Sequence, residues 1–228
     1  MTRKPREREF RFRATVSGGD VSAVLLQPQP ASALLVLAHG AGAGMRHPTM
    51  EAIAQTLGDA GVATFRYQFP YMEQGRRMPG PPRSLLETVR SAVGAAGEHA
   101  GALPLLAGGK SMGGRMTSLA AAAAALPAVR GIVFFGFPLH AAGRPSTDRA
   151  AHLGGVNVPM LFLQGTRDKL ADLELMRRVC DPLRGVELHV LEGADHSFHV
   201  PKRSGRQDGD VLAEIARTVS GWVSEIAG

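Results

Sequence analysis

The feature that most constrains the fold of this sequence is a regular alternation of short apolar runs with longer amphipathic segments. A nearly continuous apolar run suits a strand buried on both faces of a sheet. The longer segments place apolar residues three and four positions apart, as on one face of a helix. We predict strands at 33–38, 62–69, 102–107, 131–135, 158–164 and 186–191, and helices at 48–60, 83–96, 111–126, 170–179 and 210–226. This alternation indicates an α/β protein whose parallel sheet carries helices on both faces.

The N-terminal part departs from this alternation. Two β-type runs, at 10–16 and 21–27, are joined by the turn residues Gly18, Gly19 and Asp20, which is a hairpin signal. We therefore expect an antiparallel edge on an otherwise parallel sheet. The 228 residues fit one large domain, and no repeat or Ser/Gly linker divides them, so residues 1–228 are predicted to form a single domain.

Cysteine usage and hydropathy limit the possible environment of the chain. The single cysteine, Cys180, excludes an intrachain disulfide and a cysteine zinc cluster, and is compatible with the cytosol. The start of the sequence has no apolar stretch typical of a secretory signal, and no apolar run is long enough to cross a bilayer. We expect a cytoplasmic protein with no membrane partner.

The high isoelectric point, about 10.2, invites a nucleic-acid interpretation. However, residues 1–13 alone hold six Lys or Arg and two Glu, and so carry four of the six net positive charges. The rest of the chain is nearly neutral. A short basic segment is usually a solvated strand edge or tail, so we expect no nucleic-acid partner.

A candidate nucleophile follows the run at 102–107. Residues 109–113 read Gly-Lys-Ser-Met-Gly, a G-x-S-x-G pattern between a predicted strand and a predicted helix. On such a sharp turn the Ser111 hydroxyl would stand at the sheet edge, where the Met112 amide could donate to a developing oxyanion. A phosphate-binding P-loop would need glycine at position 104, which is Pro104.

A nucleophilic serine needs a base and an orienting carboxylate. His196 follows the last predicted strand and His199 is its best rival, while Asp168 follows the strand at 158–164. The chain order Ser111, Asp168, His196 is the order found in α/β-hydrolases. Other carboxylates remain as alternatives for the acid: Asp148, Asp172 and Asp195.

The second oxyanion donor should come from the loop after the strand at 33–38. That loop reads His-Gly-Ala-Gly-Ala-Gly over residues 39–44, and its small side chains would leave amides exposed beside the nucleophile. We favour the Ala41 amide, with Gly40 or Gly42 as alternatives.

Together these motifs resemble the α/β-hydrolase superfamily. More narrowly, the segments Leu-Ala-His-Gly-Ala-Gly (37–42), Phe-Pro-Tyr-Met-Glu (69–73) and Gly-Lys-Ser-Met-Gly-Gly-Arg (109–115) resemble the KANL3/Tex30-like branch, close to the dienelactone hydrolases. The resemblance implies a serine hydrolase with Ser111, Asp168 and His196 as catalytic triad, but it does not fix a substrate, because this fold hosts several hydrolase activities. Our main hypothesis is hydrolysis of a small carboxylic ester or thioester, with no cofactor or metal. Dienelactone hydrolases proper have cysteine at the nucleophile position, so a lactone substrate does not follow.

The remaining expectations concern the cleft. The stretch 136–157 is too short for a separate cap domain, which favours a small or open site and a short-chain substrate. Gly40 and Tyr71 are candidate cleft residues, and Arg76 and Arg77 could favour an anionic substrate or could instead be solvated or paired with Glu73. We expect a monomer or homodimer. The alternative function is a non-catalytic interaction protein that retains this fold.

Overall fold

An eight-stranded sheet with helices on both faces organises the chain in the computed structural model, which describes residues 6–17 and 19–227. The strands are β1 (Arg6–Thr15), β2 (Gly19–Gln27), β3 (Ala33–Ala38), β4 (Val62–Tyr67), β5 (Leu105–Lys110), β6 (Val129–Phe135), β7 (Met160–Gly165) and β8 (Val186–Leu191). The helices are α1 (Pro48–Asp59), α2 (Pro70–Glu73), α3 (Pro82–Ala100), α4 (Met112–Ala123), α5 (Leu173–Cys180) and α6 (Asp208–Ala227).

The strand order, β1-β2-β4-β3-β5-β6-β7-β8, confirms a mostly parallel sheet with an antiparallel N-terminal edge. Among the eight described strands, the pairings of β1 with β2 and of β2 with β4 are antiparallel and the others are parallel. After β3 the chain runs to β4 on one side of it and then to β5 on the other. In α/β sheets, ligands bind at the carboxyl ends of the strands where the winding reverses in this way.

Two hydrophobic clusters bury the two faces of the sheet. One cluster takes in side chains of α3, α4 and α5, and the other takes in those of α1 and α6. The central strands β3, β4, β5 and β7 are buried along their whole length, as their continuous apolar runs predict. Because these strands have no face exposed to solvent, helices must cover both faces of the sheet.

The basic N-terminal segment forms a sheet edge. Residues 6–13 lie in β1, whose Phe10 and Phe12 pack against the core, while residues 1–5 and the turn residue Gly18 lie outside the described residues. The charges of β1 have partners on nearby elements: Arg11 contacts Glu73 at 3.0 Å, and Glu7 contacts the buried Arg66 at 2.6 Å. Arg13 likewise contacts Asp20 at 2.9 Å, so two positive charges of this segment have acidic partners within the fold.

Several predicted boundaries were wrong, and one short helix was not predicted. Strand β5 runs three residues further than predicted, because the ladders with β3 and β6 carry Gly108 and Gly109 into the sheet despite their weak strand propensity. Helix α4 ends at Ala123 instead of continuing to Pro127, and the Arg90 guanidinium binds the carbonyls beyond its end. The short helix α2 was missed, although Pro70 at its first position is a start signal.

The connection from β6 to β7 is short. Within residues 136–159 the described chain forms two single 3-10 turns, at Asp148–Ala150 and Leu153–Gly155, and one isolated β-bridge between Ala141 and Arg144. This agrees with the expectation that no separate cap domain is inserted here. Among the described helices, none combines the length and the apolar character that crossing a membrane would require.

Gly131 in β6 allows α6 to approach the sheet. A Cβ at this position would lie 2.5 Å from Cη2 of Trp222 and 2.9 Å from Cδ1 of Ile226, so Gly131→Ala should lower the free energy of unfolding by about 1–3 kcal/mol. Gly221→Ala on α6 meets nothing within 4 Å and should leave stability unchanged or raise it by up to about 1 kcal/mol. Urea unfolding of both variants checks the prediction. Equal stabilities would contradict the tight contact between Gly131 and α6.

Candidate active site

Ser111 occupies a strained turn between β5 and α4. Its backbone has φ 52° and ψ −120°, a conformation that costs a non-glycine residue about 1–3 kcal/mol. The Ser111 amide donates to the Phe135 carbonyl at 3.2 Å, and the Ser111 carbonyl accepts from the Arg115 amide at 3.2 Å. The turn thereby places the hydroxyl at the carboxyl end of the sheet and at the N-terminus of α4.

The glycines of the motif are required by the close approach of this turn to β3. A Cβ at Gly109 would lie 2.6 Å from the Ala38 carbonyl oxygen, and one at Gly113 would lie 2.5 Å from the same atom. Gly108, outside the motif, is constrained as tightly, because a Cβ there would lie 2.1 Å from the Val133 carbonyl oxygen. No larger side chain fits at these positions without displacing backbone.

The structure brings the predicted serine, histidine and aspartate into one hydrogen-bonded chain. Nε2 of His196 lies 2.8 Å from Oγ of Ser111, and its Nδ1 lies 2.7 Å from Oδ2 of Asp168. Asp168 is only 6% exposed, whereas the other two side chains are half-buried. This geometry fits a hydroxyl next to a base that is itself oriented by a carboxylate.

Gln164 holds the buried carboxylate in place, and sequence reasoning missed it. Its Nε2 donates to Oδ2 of Asp168 at 2.6 Å, while its Oε1 accepts from the Phe137 amide at 3.0 Å. The Leu170 amide donates to Oδ1 of Asp168 at 2.8 Å. A polar side chain ending an otherwise apolar strand was the signal that could have pointed to Gln164.

The alternative base, His199, and the alternative acid Asp195 do not join this hydrogen-bonded chain. His199 is exposed and binds Asp208 at 3.0 Å, an interaction that raises the pKa of its imidazole. Asp195 accepts from the amides of Ser197 and His199 and so shapes the loop that carries His196.

The other two alternative acids, Asp172 and Asp148, also lie away from His196. Asp172 caps α5 by accepting from the Leu175 amide, and Asp148 is exposed on a 3-10 turn. The structure therefore brings Asp168, and neither of these alternatives, to His196.

The loop of residues 39–44, here the glycine loop, lies beside Ser111. A Cβ at Gly40 would be 3.7 Å from Cβ of Ser111. The Gly42 amide donates to the Tyr71 hydroxyl at 3.2 Å. Within the described residues, the Ala41 and Met112 amides have no such protein acceptor.

His39 anchors the start of the glycine loop. Its Nδ1 donates to the Gly40 carbonyl at 2.8 Å and its Nε2 accepts from the Phe69 amide at 3.1 Å, which requires the neutral ring. Burial lowers the pKa of His39 to about 4, because the charged ring would lose its hydration. His39 is therefore a structural residue in this loop.

A second serine–histidine pair was not expected from the sequence. Oγ of Ser118 on α4 lies 2.7 Å from Nε2 of His152. The Ser118 hydroxyl also donates to the Arg115 carbonyl, and burial together with the Arg115 charge lowers the pKa of His152 to about 4. A ring this weakly basic, beside a buried hydroxyl that is already a donor, is a poor base for nucleophilic catalysis.

Of the predicted cleft residues, Tyr71 is buried and contacts the glycine loop, while Arg76 and Arg77 are exposed. Within the described residues, neither arginine side chain has an ionic partner, because Glu73 binds Arg11 and Ser22 instead. The Arg77 carbonyl oxygen would lie 3.4 Å from a Cβ at Gly42, so the segment 74–81 borders the glycine loop.

Solved structures share this architecture. A dienelactone hydrolase from Anabaena variabilis matches with a TM-score of 0.74 and 20% identity over 98% of this chain and 99% of its own. An esterase domain from a Rhodothermus marinus protein matches at 0.70 and 17% identity, over 95% and 97% of the two chains. An α/β serine hydrolase without lid from Xanthomonas campestris matches at 0.72 and 18% identity, over 95% and 94%.

These likenesses establish the fold, and the narrower assignment to the KANL3/Tex30-like branch stays a prediction. The sequence itself matches a family model, described as an alpha/beta hydrolase domain, over residues 31–224. That range contains β3 to β8, the Ser111 turn, Asp168 and His196. The chain therefore belongs to this family of α/β-hydrolase domains.

Proposed function

We propose that this protein is a serine hydrolase that cleaves small carboxylic esters or thioesters through an acyl-enzyme. The observation that carries the proposal is the continuous hydrogen-bonded chain from Ser111 through His196 to the buried Asp168. Membership of the α/β-hydrolase family supports it, because that fold presents such a chain at the carboxyl edge of its sheet. We also propose, on the sequence alone, a cytoplasmic protein that is a monomer or homodimer.

In the proposed first step, Oγ of Ser111 attacks the carbonyl carbon of the substrate while its proton passes to Nε2 of His196. The tetrahedral intermediate collapses when His196 returns that proton to the leaving alkoxide or thiolate, which leaves an acyl ester on Ser111. Water then attacks this ester, again giving a proton to His196. The proton finally returns to Oγ as the carboxylic acid departs.

The oxyanion of each tetrahedral intermediate would be stabilised by the backbone amides of Met112 and Ala41. Both belong to segments next to Ser111, and the amide of Met112 also lies in the first turn of α4, where the helix dipole favours negative charge. The hydrogen bond from Gly42 to Tyr71 supports the choice of Ala41 over Gly42 as donor, because it engages the Gly42 amide.

The short connection between β6 and β7 supports a small or exposed substrate, since no inserted domain covers the serine in the described residues. Arg76 and Arg77 are exposed on the segment that borders the glycine loop, and in the part of the chain that the structure describes neither side chain has an acidic partner. We therefore propose that substrates with a carboxylate remote from the scissile ester are favoured over neutral esters of the same length.

An activated serine should react with a fluorophosphonate probe. We expect one adduct by intact-mass spectrometry on the wild type, none on Ser111→Ala, and at least about a 100-fold slower reaction on His196→Ala, which lacks the base. The second serine–histidine pair provides matched controls, so Ser118→Ala and His152→Ala should still be labelled. A folded wild type that is not labelled would instead favour the non-catalytic interaction protein.

The role of Asp168 can be tested by an isosteric change. Asp168→Asn removes the negative charge that stabilises the imidazolium and disturbs the ring tautomer, so kcat on a reactive ester should fall by about 10³ to 10⁴. Asp148→Asn, at an exposed carboxylate with no such contact, should keep wild-type kcat. Steady-state kinetics on both variants, with thermal melts as folding control, would refute the assignment if the two behaved alike.

The proposed preference for substrates that carry a carboxylate can be tested by removing the charges of Arg76 and Arg77. In the double variant Arg76→Gln/Arg77→Gln, the ratio of kcat/KM for a dicarboxylate monoester to that for a neutral ester should fall about two- to five-fold at low salt. This is the size expected of exposed ion pairs, and added salt should erase it. Arg217→Gln, an exposed change on α6, should leave the ratio unchanged. An unchanged ratio in the double variant would reject the anionic preference.

A further inference from the structure

Lys110 is the last residue of β5 and directly precedes Ser111, yet the proposed mechanism gives it no role. It is only 8% exposed, and its Nζ is a buried atom without a hydrogen-bond partner in the described residues. Burying an ammonium in this state is costly, so its presence beside the candidate nucleophile calls for a reason.

The ammonium lies near the His196 ring. A Cβ at Gly136 would lie 3.1 Å from Nζ of Lys110 and 3.5 Å from Nδ1 of His196, so both atoms border the gap left by that glycine. Nζ also lies 5.2 Å from the centroid of the Phe198 ring, a favourable cation–π arrangement. The side chain is thus fixed against the loop that carries His196.

The charged groups facing Lys110 come from two neighbouring loops. Asp168 follows β7, and Asp195 and His196 lie in the loop after β8, whereas the neighbour that follows β6 is the uncharged Gly136. Both carboxylates attract the ammonium without a hydrogen bond to it. Burial outweighs this attraction and lowers the pKa of Lys110 to about 8, so the side chain is mostly charged at neutral pH and below.

We propose that Lys110 is a positioning residue whose positive charge acts on His196 and extends the activity of the enzyme to lower pH. The proposal rests on the proposed function, since it concerns the same serine and histidine. Asp168 favours the protonated imidazolium, which in the free enzyme cannot take the Ser111 proton. The Lys110 charge opposes protonation of the ring, because two like charges in one buried site repel. The imidazole therefore stays neutral, and able to act as base, further into the acidic range.

The test is the pH dependence of the fluorophosphonate labelling rate, which needs no known substrate. Lys110→Met keeps an apolar stem of similar length and removes the charge. The acid-side half-maximum of the rate should move to higher pH by about one unit. At the pH where the wild type is at half its plateau rate, the variant should then react about five-fold more slowly than the wild type, with each rate taken relative to its own plateau. Above pH 8, where Lys110 itself loses its proton, the two profiles should converge.

Lys169→Met provides the matched control. Lys169 is adjacent to Asp168 in the chain but exposed to solvent, where its charge is screened, so its profile should coincide with that of the wild type. Should Lys110→Met not fold, the ε1 proton of His196 in the wild type gives a second measurement by NMR. It should show two inflections, one from its own ring and one near pH 8 from Lys110.

The outcomes separate this inference from the proposed function. A wild type that the probe does not label refutes the proposed function itself. Two results would overturn the role of the Lys110 charge and leave a packing role only. Either Lys110→Met is labelled with the same acid-side half-maximum as the wild type, or its labelling rate is lowered by the same factor at every pH. A single inflection in the His196 titration overturns it as well.

Discussion

The close approach of the Ser111 turn to the end of β3 is the constraint on which the rest of the site depends. Gly109 and Gly113 both face the Ala38 carbonyl at distances that no Cβ could tolerate. This contact presses the start of α4 against the sheet and brings the glycine loop next to Ser111. The strained backbone of Ser111 is stable only because β3, β5 and β6 hold the turn from both sides.

Around this contact, buried polar groups are arranged in series. Gln164 holds Asp168, Asp168 orients His196, and His196 reaches Ser111. Each buried donor or acceptor in the series has a partner, as a low-dielectric site requires. Lys110 lies beside this series, and among the residues that the structure describes its Nζ has no hydrogen-bond partner, which is the basis for assigning it an electrostatic role.

Much of the fold and the site could be predicted from local patterns. Apolar runs and helical periodicity gave the order of the elements, and three short motifs after predicted strands gave Ser111, Asp168 and His196, because parallel strands end at a common edge. Boundaries were less predictable. Strand β5 gains Gly108 and Gly109 through pairing with its neighbours, and α4 ends early where Arg90 binds its last carbonyls. Both effects come from partners distant in sequence.

The sequence by itself determined the α/β alternation, the antiparallel edge and the turn that carries Ser111, since each depends on residue types at fixed local spacing. Only the tertiary structure decided that Asp168 and His196 meet, because the sequence left Asp148, Asp172 and His199 open as alternatives and these lie elsewhere. It alone revealed Gln164 and Lys110 as neighbours of the candidate active site. Their roles depend on burial and on atoms brought together from separate strands, which no local sequence pattern encodes.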